Sequence, residues 1–170
     1  WVYTFNYLTN TKGLHNILWV YSLDFYGTIT QTISYYPGSS YVDITGIDFY
    51  AHNIGGFDLS KIVNHYNALL GLGKPFALTE FGPCDYIANP TCPPKDMTQL
   101  IASIKKNIPK TVFWSSWNRE YALKNHLNVT QLLTDSWVIT RDEIPSFSGA
   151  DITPPSTPTN LTATAVTSSQ

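Results

Sequence analysis

The sequence predicts an α/β fold in which short, buried, parallel strands alternate with amphipathic helices, as they do in a (β/α)8 TIM barrel. Three observations support this prediction. Four apolar runs of β type recur along the chain, helical periodicity fills the later intervals, and polar or aromatic residues collect where the runs end. The chain has 170 residues, whereas a complete barrel needs roughly 250. We therefore expect about half of a barrel, cut from a longer polypeptide.

The four apolar runs begin 26 to 36 residues apart and are nearly continuously apolar, as strands buried on both faces must be. Strands that alternate with helices at this period predict repeated βα units, and hence a parallel sheet with helices packed outside it. The runs occupy residues 16–22, 42–50, 75–81 and 111–117. The sequence therefore predicts about four βα units.

Two intervals between these strands carry the apolar periodicity of a helix. The first stripe follows Asp58, which is placed to cap a helix, and is stopped by Gly71. The second follows Asp96 and is ended by Pro109. The apolar positions are Leu59, Ile62, Val63, Tyr66, Leu69 and Leu70 in the first stripe, and Met97, Leu100, Ile101, Ile104 and Ile108 in the second.

Repeated βα units also build open, doubly wound sheets. A nucleotide-binding sheet of that kind usually carries a Gly-rich phosphate loop, and the chain contains neither GxGxxG nor GxxxxGKS/T. Polar and aromatic residues lie at the strand ends instead, where a (β/α)8 enzyme builds its site. They are Asp48, Tyr50, Glu80, Trp117 and Asn118. This pattern favours the barrel.

The composition excludes several classes of partner. Ten Lys plus Arg against twelve Asp plus Glu give a net charge of −2, which leaves no basic surface for nucleic acid or an anionic membrane. No apolar stretch approaches the roughly 20 residues that span a bilayer. Aromatic residues form 14% of the chain and suit stacking on uncharged sugar faces. No metal-ligand spacing occurs, so neither a metal nor a cofactor is expected.

The composition changes after Ile144, which suggests a domain boundary. Residues 148–157 are rich in Pro, Thr and Ser and predict a linker after a catalytic part at residues 1–147. Residues 158–170 resemble the opening strand of a fibronectin type III module. By analogy with secreted polysaccharide-degrading enzymes, we expect an extracellular protein. In that compartment Cys84 and Cys92 would form a disulfide, with two free thiols as the alternative.

Glu80 is the strongest candidate for a catalytic residue. It ends an apolar strand, where a carboxylate costs several kcal/mol unless it is hydrogen-bonded, paired or functional. As a nucleophile it would attack a sugar's anomeric carbon and form a glycosyl-enzyme ester. Water activated by a second carboxylate, about 5 to 5.5 Å away, would then release the sugar. The alternative is a structural Glu paired with a Lys or Arg of a neighbouring loop.

Asp48 and Tyr50 end the preceding strand and lie two residues apart, so their side chains point to the same face. We expect the Tyr50 hydroxyl to donate a hydrogen bond to Glu80, with a role as a rim aromatic as the alternative. Asp48 is interpreted either as a substrate contact or as a structural residue that bonds loop amides. Trp117 ends the last strand and predicts a stacking platform for a sugar ring, with core packing as the alternative.

Four segments together resemble glycoside hydrolase family 26, whose best-known members are endo-β-1,4-mannanases. The resemblance covers roughly residues 1–145. Its segments are GLHNILWVYS (13–22), YYPGSSYVDITGIDFY (35–50), TEFG (79–82) and WVITRDEI (137–144).

The resemblance implies a role for each candidate residue. Glu80 falls on the family's nucleophile, Tyr50 on the tyrosine that bonds it, Asp48 on an active-site aspartate and Trp117 on the stacking tryptophan of the last strand. It also implies that the chain holds strands five to eight of the barrel. The family's acid/base, a Glu at the end of strand four, would then lie upstream of Trp1.

The function that the resemblance implies is hydrolysis of β-1,4-mannan with retention of anomeric configuration, with the polysaccharide as partner. The alternatives are cleavage of β-glucan or β-1,3-xylan, and a carbohydrate-binding barrel without catalysis. Glu80 together with Tyr50 argues against the last, because binding alone needs no carboxylate at the anomeric centre. Since a half-barrel exposes unpaired strand edges, we expect the chain on its own to aggregate or dimerise and to be inactive.

Overall fold

Four parallel strands, paired in the order in which they follow along the chain, form the sheet of the computed structural model. The structure describes residues 1–51, 57–84 and 92–145. The strands are β1 Val20–Asp24, β2 Ile44–Tyr50, β3 Phe76–Gly82 and β4 Thr111–Ser116. The architecture is a parallel α/β sheet, which is consistent with part of a (β/α)8 barrel.

Five short α-helices accompany the strands in the described residues. They are α1 Val2–Asn6, α2 Ile29–Ser34, α3 Val63–Leu70, α4 Thr98–Asn107 and α5 Val129–Leu133. A π-helical turn, Tyr7–Thr11, continues α1, and a 3-10 turn, Leu59–Ile62, leads into α3. Further 3-10 turns span Ser39–Tyr41, Arg119–Tyr121, Leu123–Asn125 and Arg141–Glu143.

The four predicted strands are confirmed, but the first is shifted towards the C-terminus. It was predicted at residues 16–22 and runs from Val20 to Asp24. Its neighbour sets these limits, because Val20 pairs with Ile44, where β2 begins, and Asp24 pairs with Asp48. The carbonyl oxygen of Trp19 still accepts from the amides of Asp43 and Ile44, but the strand pairing itself begins at Val20, so residues 16–19 are not part of β1.

Both predicted helices are confirmed, with their ends where the capping residues place them. Asp58 accepts a hydrogen bond from the Ser60 amide at 3.2 Å, at the start of the 3-10 turn that precedes α3. Asp96 accepts from the Thr98 amide at 3.0 Å, and α4 stops before Pro109, whose nitrogen carries no proton to donate. Helix α2 was not predicted, since its six residues are too few to show periodicity.

The core lies between the sheet and the helices that follow β2 and β3. Side chains from the strands and from both predicted helices form one buried cluster. Its most deeply buried members, each at most 1% exposed, include Ile47, Leu59, Ile62, Leu69, Phe76, Leu78, Phe81, Met97, Leu100, Ile104 and Ile108. Because residues alternate along β2, Asp48 and Tyr50 face away from the side that Ile47 and Phe49 occupy.

The outer edges of β1 and β4 have no strand partner within the described residues. Along β4, the side chain of Val112 is 57% exposed and that of Phe113 is also exposed. Within the same part of the chain, no helix combines the length and apolarity that crossing a bilayer requires.

The C-terminal segment forms a second unit, Ile139–Gln170, separate from the unit Trp1–Val138 that contains the sheet. Its described part, residues 139–145, holds a capping box in which the Thr140 amide donates to Glu143 at 2.8 Å. The predicted linker, residues 148–157, and the predicted module, residues 158–170, lie outside the described residues. Those domain boundaries stay predictions.

Replacing Ile104 by Ala should lower the free energy of unfolding of the chain by about 2 to 5 kcal/mol, because it leaves a cavity under helix α4. Gln99→Ala is the control, since that side chain is exposed on the same helix and should change the free energy by at most about 0.5 kcal/mol. Urea denaturation of both variants measures the difference. Equal effects would contradict the packing described above.

Candidate active site

The carboxyl ends of β1, β2 and β3 bring three carboxylate residues into one row of the sheet. Asp24 pairs with Asp48, and Asp48 pairs with Glu80. Parallel strands end at the same edge, so residues distant in sequence become neighbours there. The sequence predicted that Asp48, Tyr50 and Glu80 come together, and the structure brings all three to this edge.

Tyr50 is hydrogen-bonded directly to Glu80. Its hydroxyl donates to Oε2 of Glu80 at 2.9 Å, which is the predicted contact. Burial, and then this hydrogen bond, raise the pKa of Tyr50 well above its ordinary value of 10. The hydroxyl therefore stays protonated at neutral pH and remains a donor. This geometry does not fit a tyrosine that is merely a rim aromatic.

Glu80 forms no ion pair with any Lys or Arg that the structure describes. The structural alternative of a Glu paired with a loop cation therefore does not fit. The side chain is partly exposed at the end of β3, with Oε2 engaged by Tyr50. An oriented carboxylate with one bonded oxygen can present the other to a ligand.

Asp48 is held by hydroxyl groups of the two neighbouring strands. Its Oδ1 accepts from Ser22 Oγ at 2.7 Å and from Thr79 Oγ1 at 2.9 Å, and the two hydroxyls also contact each other. The predicted structural alternative, bonding of loop amides, is therefore replaced by bonds to strand side chains. These contacts fix the carboxylate across β1, β2 and β3.

A β-bulge explains how Thr79 and Glu80, adjacent in sequence, both reach this cluster. Ile47 pairs with Leu78, but the next pair is Asp48 with Glu80, so Thr79 is an extra residue without a partner in β2. A bulge of this kind redirects side chains and is common beside active sites. Thr79 turns to Asp48 and Glu80 turns to Tyr50, although regular alternation would place them on opposite faces.

Gly46 makes room for the bulge. A Cβ atom built at Gly46 would lie 2.8 Å from Oγ1 of Thr79 and 2.9 Å from the carbonyl oxygen of Ala77. No side chain fits at that distance, so the close approach of β3 requires glycine in β2. A glycine inside a strand is a recognised sign of close backbone approach, and it was the one sequence signal that pointed to this feature.

Trp117 directly follows β4 and is 45% exposed. Its amide donates to the carbonyl oxygen of Phe81 at 2.9 Å, which places it beside the residue that follows Glu80. A cavity of about 250 Å³ is lined by Trp117, Asn118, Arg119, Glu120 and Tyr121. Such exposure does not fit the alternative of core packing, and the cavity offers space for a ligand beside the indole.

A disulfide joins Cys84 to Cys92, with 5.6 Å between their Cα atoms. The alternative of two free thiols is therefore wrong. Both cysteines are buried in one cluster with Tyr121, and Tyr50 packs against that cluster. The contribution of Tyr121 was not predicted from the sequence. Among the described residues, no group of His, Cys, Asp or Glu is arranged to hold a metal ion.

Comparison with known proteins places the chain in a described family. The model of glycosyl hydrolase family 26 matches residues 1–143. The chain is 36% identical over 144 residues to mannan endo-1,4-beta-mannosidase A and B of Caldalkalibacillus mannanilyticus, a match that covers 85% of this chain and 26% of that protein. It is 37% identical over 150 residues to a mannan endo-1,4-beta-mannosidase of Bacillus subtilis, which covers 88% of this chain and 37% of that protein.

A solved structure of a Bacillus subtilis mannanase shares the fold, with a TM-score of 0.71 and 34% identity. The match covers 90% of this chain and 41% of that one. The chain thus spans about a quarter to two fifths of the length of these relatives.

Replacing Thr79 by Val should lower the free energy of unfolding by about 1 kcal/mol, because Asp48 loses one donor while the side-chain volume is kept. Ser22→Ala should have a similar effect. The double variant should differ from the sum by at least about 0.5 kcal/mol, since the two hydroxyls share one acceptor. Thermal and urea denaturation measure these changes.

Thr130→Val provides the control for the Thr79 variant, because Thr130 is exposed on α5 and no hydrogen bond of its hydroxyl is seen. It should change the free energy of unfolding by at most about 0.5 kcal/mol. Strict additivity of Ser22→Ala and Thr79→Val would show that the hydroxyls do not act together on Asp48.

Proposed function

Because the chain belongs to glycosyl hydrolase family 26, we propose that it is part of the catalytic domain of a retaining endo-β-1,4-mannanase whose nucleophile is Glu80. The observation that carries this proposal is the hydrogen bond of 2.9 Å from the Tyr50 hydroxyl to Glu80 at the carboxyl end of β3. A carboxylate that is oriented by a neutral donor, and that no Lys or Arg of the described residues pairs with, suits nucleophilic attack.

The proposed reaction is a double displacement in two steps. In the first, Glu80 attacks the anomeric carbon, the glycosidic bond breaks, and the acid/base residue protonates the leaving oxygen. In the second, the same residue takes a proton from water, which attacks the anomeric carbon and releases Glu80 as a carboxylate. Two inversions give net retention. Tyr50 holds Oε2, and no described residue makes a hydrogen bond to Oε1, so Oε1 is the oxygen expected to form the ester.

The acid/base residue belongs, in this proposal, to a segment upstream of Trp1. The four strands would then be strands five to eight of the barrel, with β3 carrying the nucleophile. The chain covers 37% of one relative and 41% of one solved structure, which suits part of a barrel. Closing the barrel would place the acid/base carboxyl about 5 to 5.5 Å from that of Glu80, the separation of a retaining enzyme.

Asp48 and Trp117 complete the proposed substrate site. The hydroxyls of Ser22 and Thr79 engage only Oδ1 of Asp48, and within the described residues no hydrogen bond is made to Oδ2. This second oxygen is therefore available to a sugar hydroxyl. The exposed indole of Trp117, beside its cavity, offers an apolar face for the C–H groups of a sugar ring.

We also propose that the protein is extracellular. The disulfide between Cys84 and Cys92 supports this, because disulfides persist in oxidising compartments. The Pro/Thr/Ser-rich stretch at residues 148–157 suits a linker to a further module, and residues 158–170 suit the start of a fibronectin type III-like module.

Mannan hydrolysis by the chain joined to its natural upstream segment tests the catalytic assignment. The joined protein should release oligosaccharides from β-1,4-mannan, whereas the 170-residue chain alone should release none. Glu80→Gln should lower kcat at least about 10³-fold, since it removes the nucleophile. Asp142→Asn, an exposed carboxylate in the second unit, is the control and should leave kcat unchanged. Full activity of Glu80→Gln would refute the assignment.

A panel of β-1,4-mannan, mixed-linked β-glucan and β-1,3-xylan tests the substrate and the stereochemistry. We expect kcat/KM to be at least about tenfold higher on mannan, a difference of about 1.4 kcal/mol in transition-state binding. NMR of the first product should show the β-anomer, because double displacement retains configuration. A first product in the α-configuration would exclude Glu80 as a nucleophile. A higher kcat/KM on glucan or xylan would show that β-1,4-mannan is not the preferred substrate.

A further inference from the structure

The ring of Tyr50 is held from one side by Tyr121, a residue of the loop that follows β4. The two ring centroids lie 5.1 Å apart with an interplanar angle of 63°, an edge-to-face contact. Tyr121 is 8% exposed and closes a 3-10 turn, in which its amide donates to Asn118 at 3.2 Å. The turn begins at Arg119, whose φ of 52° lies in the left-handed region. The loop thus directs a buried ring against Tyr50.

The rings of Tyr50 and Tyr121 both pack against the backbone of Gly82. A Cβ atom built at Gly82 would lie 2.7 Å from Cδ1 of Tyr121 and 2.7 Å from Cε1 of Tyr50. Neither ring could keep its place beside any larger residue. The two tyrosines therefore lie against the bare backbone of β3, two residues beyond Glu80.

The disulfide forms the third wall around these rings. Cys84 and Cys92 share one buried cluster with Tyr121, and Tyr50 packs against it. The disulfide links the chain just after β3 to the segment before α4, so a covalent bond holds this side of the cluster together. The Tyr50 ring is thereby packed against Tyr121, against Gly82 and against the cluster that contains the disulfide.

We propose that Tyr121 is a positioning residue, which acts through Tyr50 to keep the Tyr50 hydroxyl on Oε2 of Glu80. The inference rests on the proposed function, since it assigns Tyr121 to the orientation of the nucleophile. A tyrosine hydroxyl lies at the far end of its ring, so a small rotation of an unsupported ring carries it out of hydrogen-bonding range. Misplacement by about 1 Å can cost about 10²-fold in rate.

The test compares Tyr121 variants of the full-length protein on β-1,4-mannan. Tyr121→Leu should lower kcat about 10-fold to 100-fold and change KM at most about threefold, because the nucleophile is misplaced while sugar binding is retained. Tyr121→Phe, which keeps the ring, should restore most of the lost kcat. Tyr66→Leu is the matched control, since it removes an equally buried ring from the core, where it should lower Tm but not kcat.

A double-mutant cycle separates positioning from general stability. In a Tyr50→Phe background there is no hydroxyl to place, so adding Tyr121→Leu should lower kcat less than about threefold further. A purely structural role of Tyr121 would lower kcat by the same factor in both backgrounds, and that result would overturn the inference. If Tyr121→Leu does not fold, Tyr121→Met provides the same comparison with a flexible apolar side chain.

The outcomes also separate this inference from the proposed function. If Glu80→Gln is inactive but Tyr121→Leu keeps its kcat within threefold of the parent, the inference fails and the nucleophile stands. If the parent hydrolyses none of the three glycans, the proposed function fails, and a crystal structure of Tyr121→Leu then decides the inference. Retention of the Tyr50 hydroxyl within hydrogen-bonding distance of Glu80 would contradict it, and displacement of the hydroxyl would support it.

Discussion

The pairing register of β2 and β3 is the constraint on which the site depends. Asp48 stands opposite Glu80 only because Thr79 is an unpaired extra residue in β3. If Thr79 instead paired regularly with Asp48, Glu80 would stand opposite Phe49 and point towards the helices, and the Tyr50 hydroxyl would lose its acceptor. The register is set by pairing along the full length of both strands. The relative position of Tyr50 and Glu80 is therefore determined by the sheet as a whole.

The two faces of β2 have different roles: one packs in the apolar core and the other carries the polar groups of the site. Ile47 and Phe49 are buried among the helices and contribute apolar area, while Asp48 and Tyr50, on the other face, carry the polar groups. Hydroxyl donors from β1 and β3 bond one oxygen of Asp48, and a phenol donor from β2 bonds one oxygen of Glu80. Neutral donors thus hold Asp48 and Glu80 at the sheet edge, where no Lys or Arg of the described residues pairs with either carboxylate.

The sequence was sufficient to predict features that depend on residues close together in the chain. Asp58, Asp96 and Pro109 set the limits of the helices as predicted, and strand ends two residues apart brought Asp48 and Tyr50 to one face. The sequence was insufficient for features that depend on contact with a neighbouring strand. The start of β1 follows from where β2 begins, and the bulge at Thr79 exists only between two strands. The sequence did not predict the contributions of Ser22 and Tyr121, because each contacts a site residue that is distant in sequence: Asp48 for Ser22 and Tyr50 for Tyr121.

The strand order β1-β2-β3-β4 also bears on how this segment folds during synthesis. Each of β2, β3 and β4 pairs with the strand made just before it, so each emerges from the ribosome when its neighbour in the sheet is already present. No strand must wait for a distant part of the segment, which keeps loop-closure entropy small at each step. The bond between Tyr50 and Glu80 can accordingly form as soon as β3 docks, before the β4 loop closes over it.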